Sequence, residues 1–204
     1  MKTPKATRGR PKTLDRNHVI NTAMMSYWTD GPTVVSLNEV CKRAGVSKPG
    51  IYREFGSEDG LKHAVLSTYT AMLLAQFQPV FEAEMTFTQT IAALISAVLQ
   101  DRSEVGLPAG CLYVAMCNSS TTLGIQTADT VDETREYLLG KYEGLIERAK
   151  TNGEFKADVP TRVAALYINE QISNAMLQQK RGEADEDIKA ILILALSALV
   201  GKVS

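Results

Sequence analysis

The side chains in this chain with the means to do chemistry fall into two groups. The first is a set of hydrogen-bond donors between residues 36 and 53: Ser36, Ser47, Lys48, Tyr52 and Arg53. Hydroxyls, an ammonium and a guanidinium in so short a span suit phosphate oxygens and base edges better than bond cleavage. An arginine fork pairs bidentately with guanine, and a tyrosine reaches a phosphate or a thymine methyl. The second group is thiols. Of the three cysteines, Cys41, Cys111 and Cys117, none forms a CxxC pair, which argues for a reducing compartment rather than a disulfide framework. Cys111 follows Leu107-Pro108-Ala109-Gly110 at the expected start of a helix, where the dipole favours a thiolate. A thiol enzyme built on Cys111 would need a histidine beside it. Both histidines, His18 and His63, lie in the first third of the chain, so no enzymatic activity, metal or cofactor is expected.

The donors of the first group need a frame, and Ser36–Phe55 supplies one. Ser36 is a good N-cap, with Glu39 three residues on as in a capping box. Leu37, Val40, Cys41 and Ala44 share one helical face, and Gly45 ends it in the left-handed position. Cys41 is a small apolar residue where two helices cross closely. Ser47 caps the next helix, Pro49 sits in its first turn, and Gly56 stops it. Two short helices joined by a tight turn make a helix-turn-helix, whose second helix lies in a DNA major groove.

Asp15–Leu66 resembles the DNA-binding domain of the TetR family of transcriptional regulators. The matching residues are Ser36-Leu37-Asn38-Glu39-Val40, Ala44-Gly45-Val46-Ser47-Lys48, Ile51-Tyr52-Arg53-Glu54-Phe55 and Leu61. Gly153-Glu154-Phe155 to Asp158 is similar to the family's link between its seventh and eighth helices. Gly50 stands where the family commonly has Ser or Thr. Gly56-Ser57-Glu58-Asp59 lacks the family's lysine at the start of the fourth helix, a phosphate clamp for which Lys62 is a partial substitute.

Charge divides the chain. Residues 1–63 hold 11 Lys and Arg against 6 Asp and Glu, whereas residues 64–204 hold 11 against 17. A basic head on an acidic body lets one end seek phosphate. The polar, basic stretch 1–12 reads as a flexible arm. Within it, Arg8-Gly9-Arg10-Pro11 resembles the core of an AT-hook, whose arginines enter a narrow minor groove. A DNA-binding domain over 13–60 and a helical effector-binding and dimerisation domain over 61–204 complete the division. The fold class is therefore all-α, with a three-helix N-terminal head.

The first helix is expected over Asp15–Thr29, and the connecting helix from Ser57 to a break at Gln78-Pro79. Others are expected at about 87–102, 109–123, 128–151, 160–181 and 185–201. The longest apolar run, Ala190–Val200, falls short of the ~20 residues a membrane span needs. With no signal-like segment read in the sequence, a cytoplasmic location is expected. The last two helices are apolar on more than one face, as buried or paired helices are. The resemblance implies that they form a homodimer through Ile168, Ile172, Met176, Ile191, Leu194 and Leu199, matched to an inverted-repeat operator in double-stranded DNA.

The middle helices are expected to enclose an unknown small-molecule effector among Tyr69, Met72, Phe77, Tyr113, Met116, Tyr137 and Tyr142, residue types that equally describe a core. The Gly110-Cys111-Leu112 segment resembles a TetR subgroup in which some members sense electrophiles or oxidants. Cys111 is thus either a packed thiol or a redox sensor. The expected function is that of a repressor released from DNA by effector or thiol modification. The alternative is a sequence-tolerant architectural DNA-binding protein.

Overall fold

The computed structural model describes residues 14–100, 104 and 106–199; the arm with Arg8 and Arg10 lies outside the described residues. Local signals set the first helices. Asp15 caps α1 (Arg16–Asp30) by accepting from the His18 N–H at 3.1 Å. Ser36 caps α2 (Leu37–Ala44) and Ser47 caps α3 (Lys48–Phe55), each hydroxyl accepting an N–H three residues on at 3.3 Å. Gly45, at φ 66°, ends α2 in the left-handed region, which a Cβ would penalise. The capping box expected at Ser36 forms on one side only. Glu39 instead accepts from Arg43 at 2.9 Å, and Arg43 also reaches Asp30 at 2.7 Å, tying α2 to the end of α1.

α4 (Glu58–Glu82) runs straight through Pro79, where a break was expected. Proline gives up the bond to the Ala75 carbonyl and crowds that oxygen, but it does so in the last turn, where few further bonds depend on it. Beyond it, Phe81 is buried edge-on against Tyr142, ring centroids 5.5 Å apart, and that packing holds the turn. α4 also crosses position 60/61, between the two expected domains, without interruption.

α5 (Phe87–Val98) opens on a reciprocal capping box between Thr86 and Gln89. The helix expected over 109–123 is much shorter: α6 (Leu112–Cys117), followed by one 3-10 turn at Ser120–Thr122. Asn118 Nδ2 and Ser119 Oγ bond back to the carbonyls of Val114 and Ala115 at 3.0 and 2.9 Å, competing with the helical ladder. α7 (Ile125–Thr151), α8 (Thr161–Arg181) and α9 (Asp185–Ser197) complete the chain.

One apolar core runs unbroken from Val19 to Leu199. α4 is its spine, touching α1 and α3 in the head and α5, α6 and α7 in the body. α7 packs along both α4 and α8, and α9 lies on α8. Among the described residues, no helix is long and apolar enough to cross a membrane.

One contact far apart in sequence starts α5. The Glu154 carboxylate accepts the Phe87 N–H, the first of that helix. Glu154→Ala is expected to cost about 1 kcal/mol, as lost N-terminal caps do. The check is a lower urea midpoint with an unchanged slope.

Candidate nucleic-acid interface

The second helix of the helix-turn-helix is pinned from below. Ile51 is fully buried, Val46 fills the turn, and Gly50 is buried with almost no room above it. A Cβ at Gly50 would lie 3.3 Å from Ser47 Oγ and 3.5 Å from Leu14 Cδ1. The glycine found in place of the family's Ser or Thr thus lets Leu14 close over the start of α3.

Tyr52 and Arg53 stand outward from the same helix, Tyr52 46% exposed, with Lys48 half-buried at the first turn. Among the described residues, neither Lys48 nor Arg53 has an ion-pair partner, so both charges are free for phosphate or base edges. Glu54, the carboxylate next to them, is drawn aside by Arg16 at 3.5 Å, and Arg16 also lies over the Phe55 ring at 4.8 Å. Ser36 and Ser47, both exposed, bring hydroxyls and helix N-termini to the same head. His18 Nε2 meets the Ala44 carbonyl at 3.2 Å and holds the end of α2 against α1.

Lys62 stands elsewhere than expected of a phosphate clamp. Its side chain is only 14% exposed, it pairs with Glu58 at 3.0 Å, and it lies over the Tyr27 ring at 5.9 Å. The cause is register: residue 62 faces α1, and Glu58, one turn earlier, takes its charge.

In the body, the expected effector residues separate. Phe77, Tyr113 and Tyr142 line a small cavity of about 30 Å³ among α4, α5, α6, α7 and α8. Tyr69 lines a neighbouring crevice of about 140 Å³, roofed by Leu107–Cys111. Met72 and Tyr137 are 55% and 45% exposed and line neither, because they sit on the outer faces of α4 and α7, while their neighbours Leu73 and Leu138 turn inward. Lys141 covers the Tyr137 ring from outside at 5.1 Å. Met116 is fully buried but packs in the core away from both. Besides several aliphatic wall residues, two polar ones escaped the sequence reading: Asn169 and Ser173, four apart on α8, beside Ile172 and Met176. A polar pair at helical spacing within an apolar helix was the available signal.

Cys111 is buried in the wall common to the cavity and the crevice, and Tyr69 donates to its Sγ at 3.2 Å. Its helix is only six residues long. Burial pushes the Cys117 thiol up to about 11 and also raises the phenols of Tyr113 and Tyr142. Burial raises Cys41 as well. Among the described residues, no three of His, Cys, Asp or Glu converge as metal ligands would.

The residues expected at a dimer face divide in two. Ile168, Ile172, Met176 and Leu199 are buried within the chain itself, since they sit on the inner faces of the last two helices and beyond. Ile191 and Leu194 are 42% and 76% exposed, and Val163, Tyr167 and Ile193 join them as large exposed apolar residues. Tyr167 donates its hydroxyl to the Ala195 carbonyl at 3.1 Å, binding α8 to α9.

Residues 19–65 match the family model TetR_N, "Bacterial regulatory proteins, tetR family". The chain is 26% identical over 188 residues to the HTH-type transcriptional repressor ComR of Escherichia coli (strain K12), covering 92% of this chain and 90% of that one. Its fold is similar to that of reduced NemR from E. coli, with TM-score 0.77 and 19% identity over 93% of this chain and 99% of that chain. It is also similar to a cysteine mutant of the regulator CifR complexed with 26-base-pair double-strand operator DNA, with TM-score 0.77 and 22% identity over 94% of this chain and 100% of that chain.

Arg53→Ala is expected to weaken binding to a selected site by about 1–3 kcal/mol and relax preference at one base pair. Comparing affinities across single-base variants of that site checks this; an equal loss on every sequence would mean a phosphate contact only. For Cys117, a thiol pushed up to about 11 stays protonated through neutral pH. Alkylation of the native protein at Cys117 should therefore be slow at pH 7–8 and climb only as the pH approaches that value, whereas the unfolded chain reacts earlier.

Proposed function

The chain carries a tetR-family DNA-binding domain on a helical body of tetR-regulator fold, and we propose that it acts as a dimeric, effector-released repressor reading an inverted repeat. The observation that carries this reading is α3 itself. Ile51 is locked into the core, while Tyr52 and Arg53 project outward and, among the described residues, no ion pair neutralises Lys48 or Arg53. A rigid helix that presents unspent donors is what base readout requires. The named relative ComR is a repressor, and the similar CifR structure holds operator DNA, which agrees with the direction proposed.

Dimerisation is supported by the apolar side chains that α8 and α9 leave uncovered. Val163, Tyr167, Ile191 and Leu194 would meet their two-fold mates, matching two α3 helices to two half-sites. Release by an effector is supported by the cavities in the body. A largely apolar or aromatic effector would widen the space bounded by Phe77, Tyr113 and Tyr142, with Asn169 and Ser173 as polar anchors. Modification of Cys111, in the shared wall, would force the same helices apart. Either event acts only through a difference in affinity between the two states: a hundredfold loss on DNA requires about 2.7 kcal/mol of coupling. The place of action would be the cytoplasm.

Selection of bound sequences from random duplex DNA at two salt concentrations tests the reading. Enrichment of an inverted repeat that survives higher salt is expected. Binding without an enriched site, lost as salt rises, would make the protein an architectural one held by charge alone. Leu194→Asp should shift the protein from dimer to monomer in sedimentation, because the two-fold places the charge twice in an apolar seam.

A further inference from the structure

The head is joined to the body by charged side chains that complete helix ends on two sides. Asp59 is the second residue of α4, four positions beyond the end of α3. Its carboxylate accepts the N–H groups of Gln126 and Thr127 at 2.9 and 3.2 Å and the Thr127 hydroxyl at 2.6 Å. The Thr127 hydroxyl also lies 3.2 Å from the Asp59 carbonyl. Asp59 is thus the N-terminal cap of α7, supplied from another helix. The residue in the capping position, Gly124, has no side chain to offer. It has no room for one either: a Cβ there would lie 2.2 Å from the Asp59 carboxylate carbon.

The second joint is at the other end of the head. Lys180, in the last turn of α8, donates to the Trp28 and Thr29 carbonyls at 2.7 and 2.6 Å, closing the C-terminal end of α1. The same turn of α8 carries the roof of the crevice. A Cβ at Gly110 would lie 3.0 Å from Lys180 Cβ and 2.8 Å from the Met176 carbonyl, so the loop rests directly on it. A change in the crevice therefore reaches Lys180 without an intermediary, while a change along α7 reaches Asp59.

We propose that Asp59 and Lys180 are positioning residues for operator recognition: together they set the orientation of α3 on the body, and hence the half-site spacing the dimer accepts. Neither touches the reading face. Two joints, at the start of α4 and the end of α1, leave the head one fixed attitude. Losing either lets it slip between neighbouring packed arrangements on the shared core. The inference rests on the two-fold reading above.

The test uses the full-length protein and the inverted repeat that the wild type selects. Affinity is measured on that duplex and on versions with one or two base pairs added or removed between half-sites. The variants are Asp59→Asn, Lys180→Met and Gly124→Ala, the last pushing the Asp59 carboxylate away without altering it. The wild type should prefer one spacing. Each variant should lose about fivefold to a hundredfold on it and much less on the others, flattening the profile. Melting temperature is read alongside, and a variant that fails to fold leaves the other two to decide. An unchanged spacing profile in the folded variants would overturn the proposal. So would an equal loss at every spacing, which would mark the joints as merely stabilising. A wild type with no preferred spacing would overturn the two-fold reading and the proposal with it, and is recognised because it appears before any substitution.

Discussion

Every helix leaves unpaired N–H groups at its start and unpaired carbonyls at its end, and burying them unmet is expensive. In this molecule many of those ends are completed by charged side chains from distant segments. Asp59 meets the start of α7 and Glu154 the start of α5. Arg148 donates to the Phe81 carbonyl near the end of α4, Lys180 closes α1, and Lys156 reaches the Ala198 carbonyl beyond α9. The signs are consistent: acids at N-termini and bases at C-termini, as the helix dipole favours. These contacts do two jobs at once. They let helix ends lie against the core, and they hold each helix in register with a partner it could otherwise slide along.

That arrangement explains how much of the fold could be read in advance. Ser36, Gly45, Ser47 and Gly56 act on neighbours three or four residues away, so the head was legible. The start of α7 was not, because its cap is Asp59, 67 residues upstream of Gln126. The run through Pro79 depends on Phe81 meeting Tyr142, again a contact without a local trace. The same limit applied to the interface. Arg53 and Tyr52 follow from helical phase relative to Ile51, but the withdrawal of Lys62 depends on Tyr27 lying above it. In the last two helices, composition revealed that several faces were apolar. It could not separate Ile168 and Ile172, which face inward, from Leu194, which does not.

Because one core spans head and body, the head does not swing as a separate domain would. Trp28 stands edge-on to Tyr69 at 5.0 Å, and Tyr69 in turn donates to Cys111 at the cavity wall. Three residues thus lead from the end of α1 to the crevice roof. Motion along such a path is a small sliding of packed helices, which interlocked side chains permit only between discrete arrangements.

The small volume of the cavity also governs how fast a guest is captured. At about 30 Å³ it holds a water or two and nothing larger. Any bigger guest enters only during the moments when the surrounding helices part. The rate of capture is then bounded by how often the packing breathes, not by how fast molecules diffuse to the surface. Apparent affinity is scaled down by the fraction of time spent open. A substitution that loosens the walls, such as a smaller side chain at Leu138, would quicken the response and deepen the apparent affinity together, with no new contact to the guest.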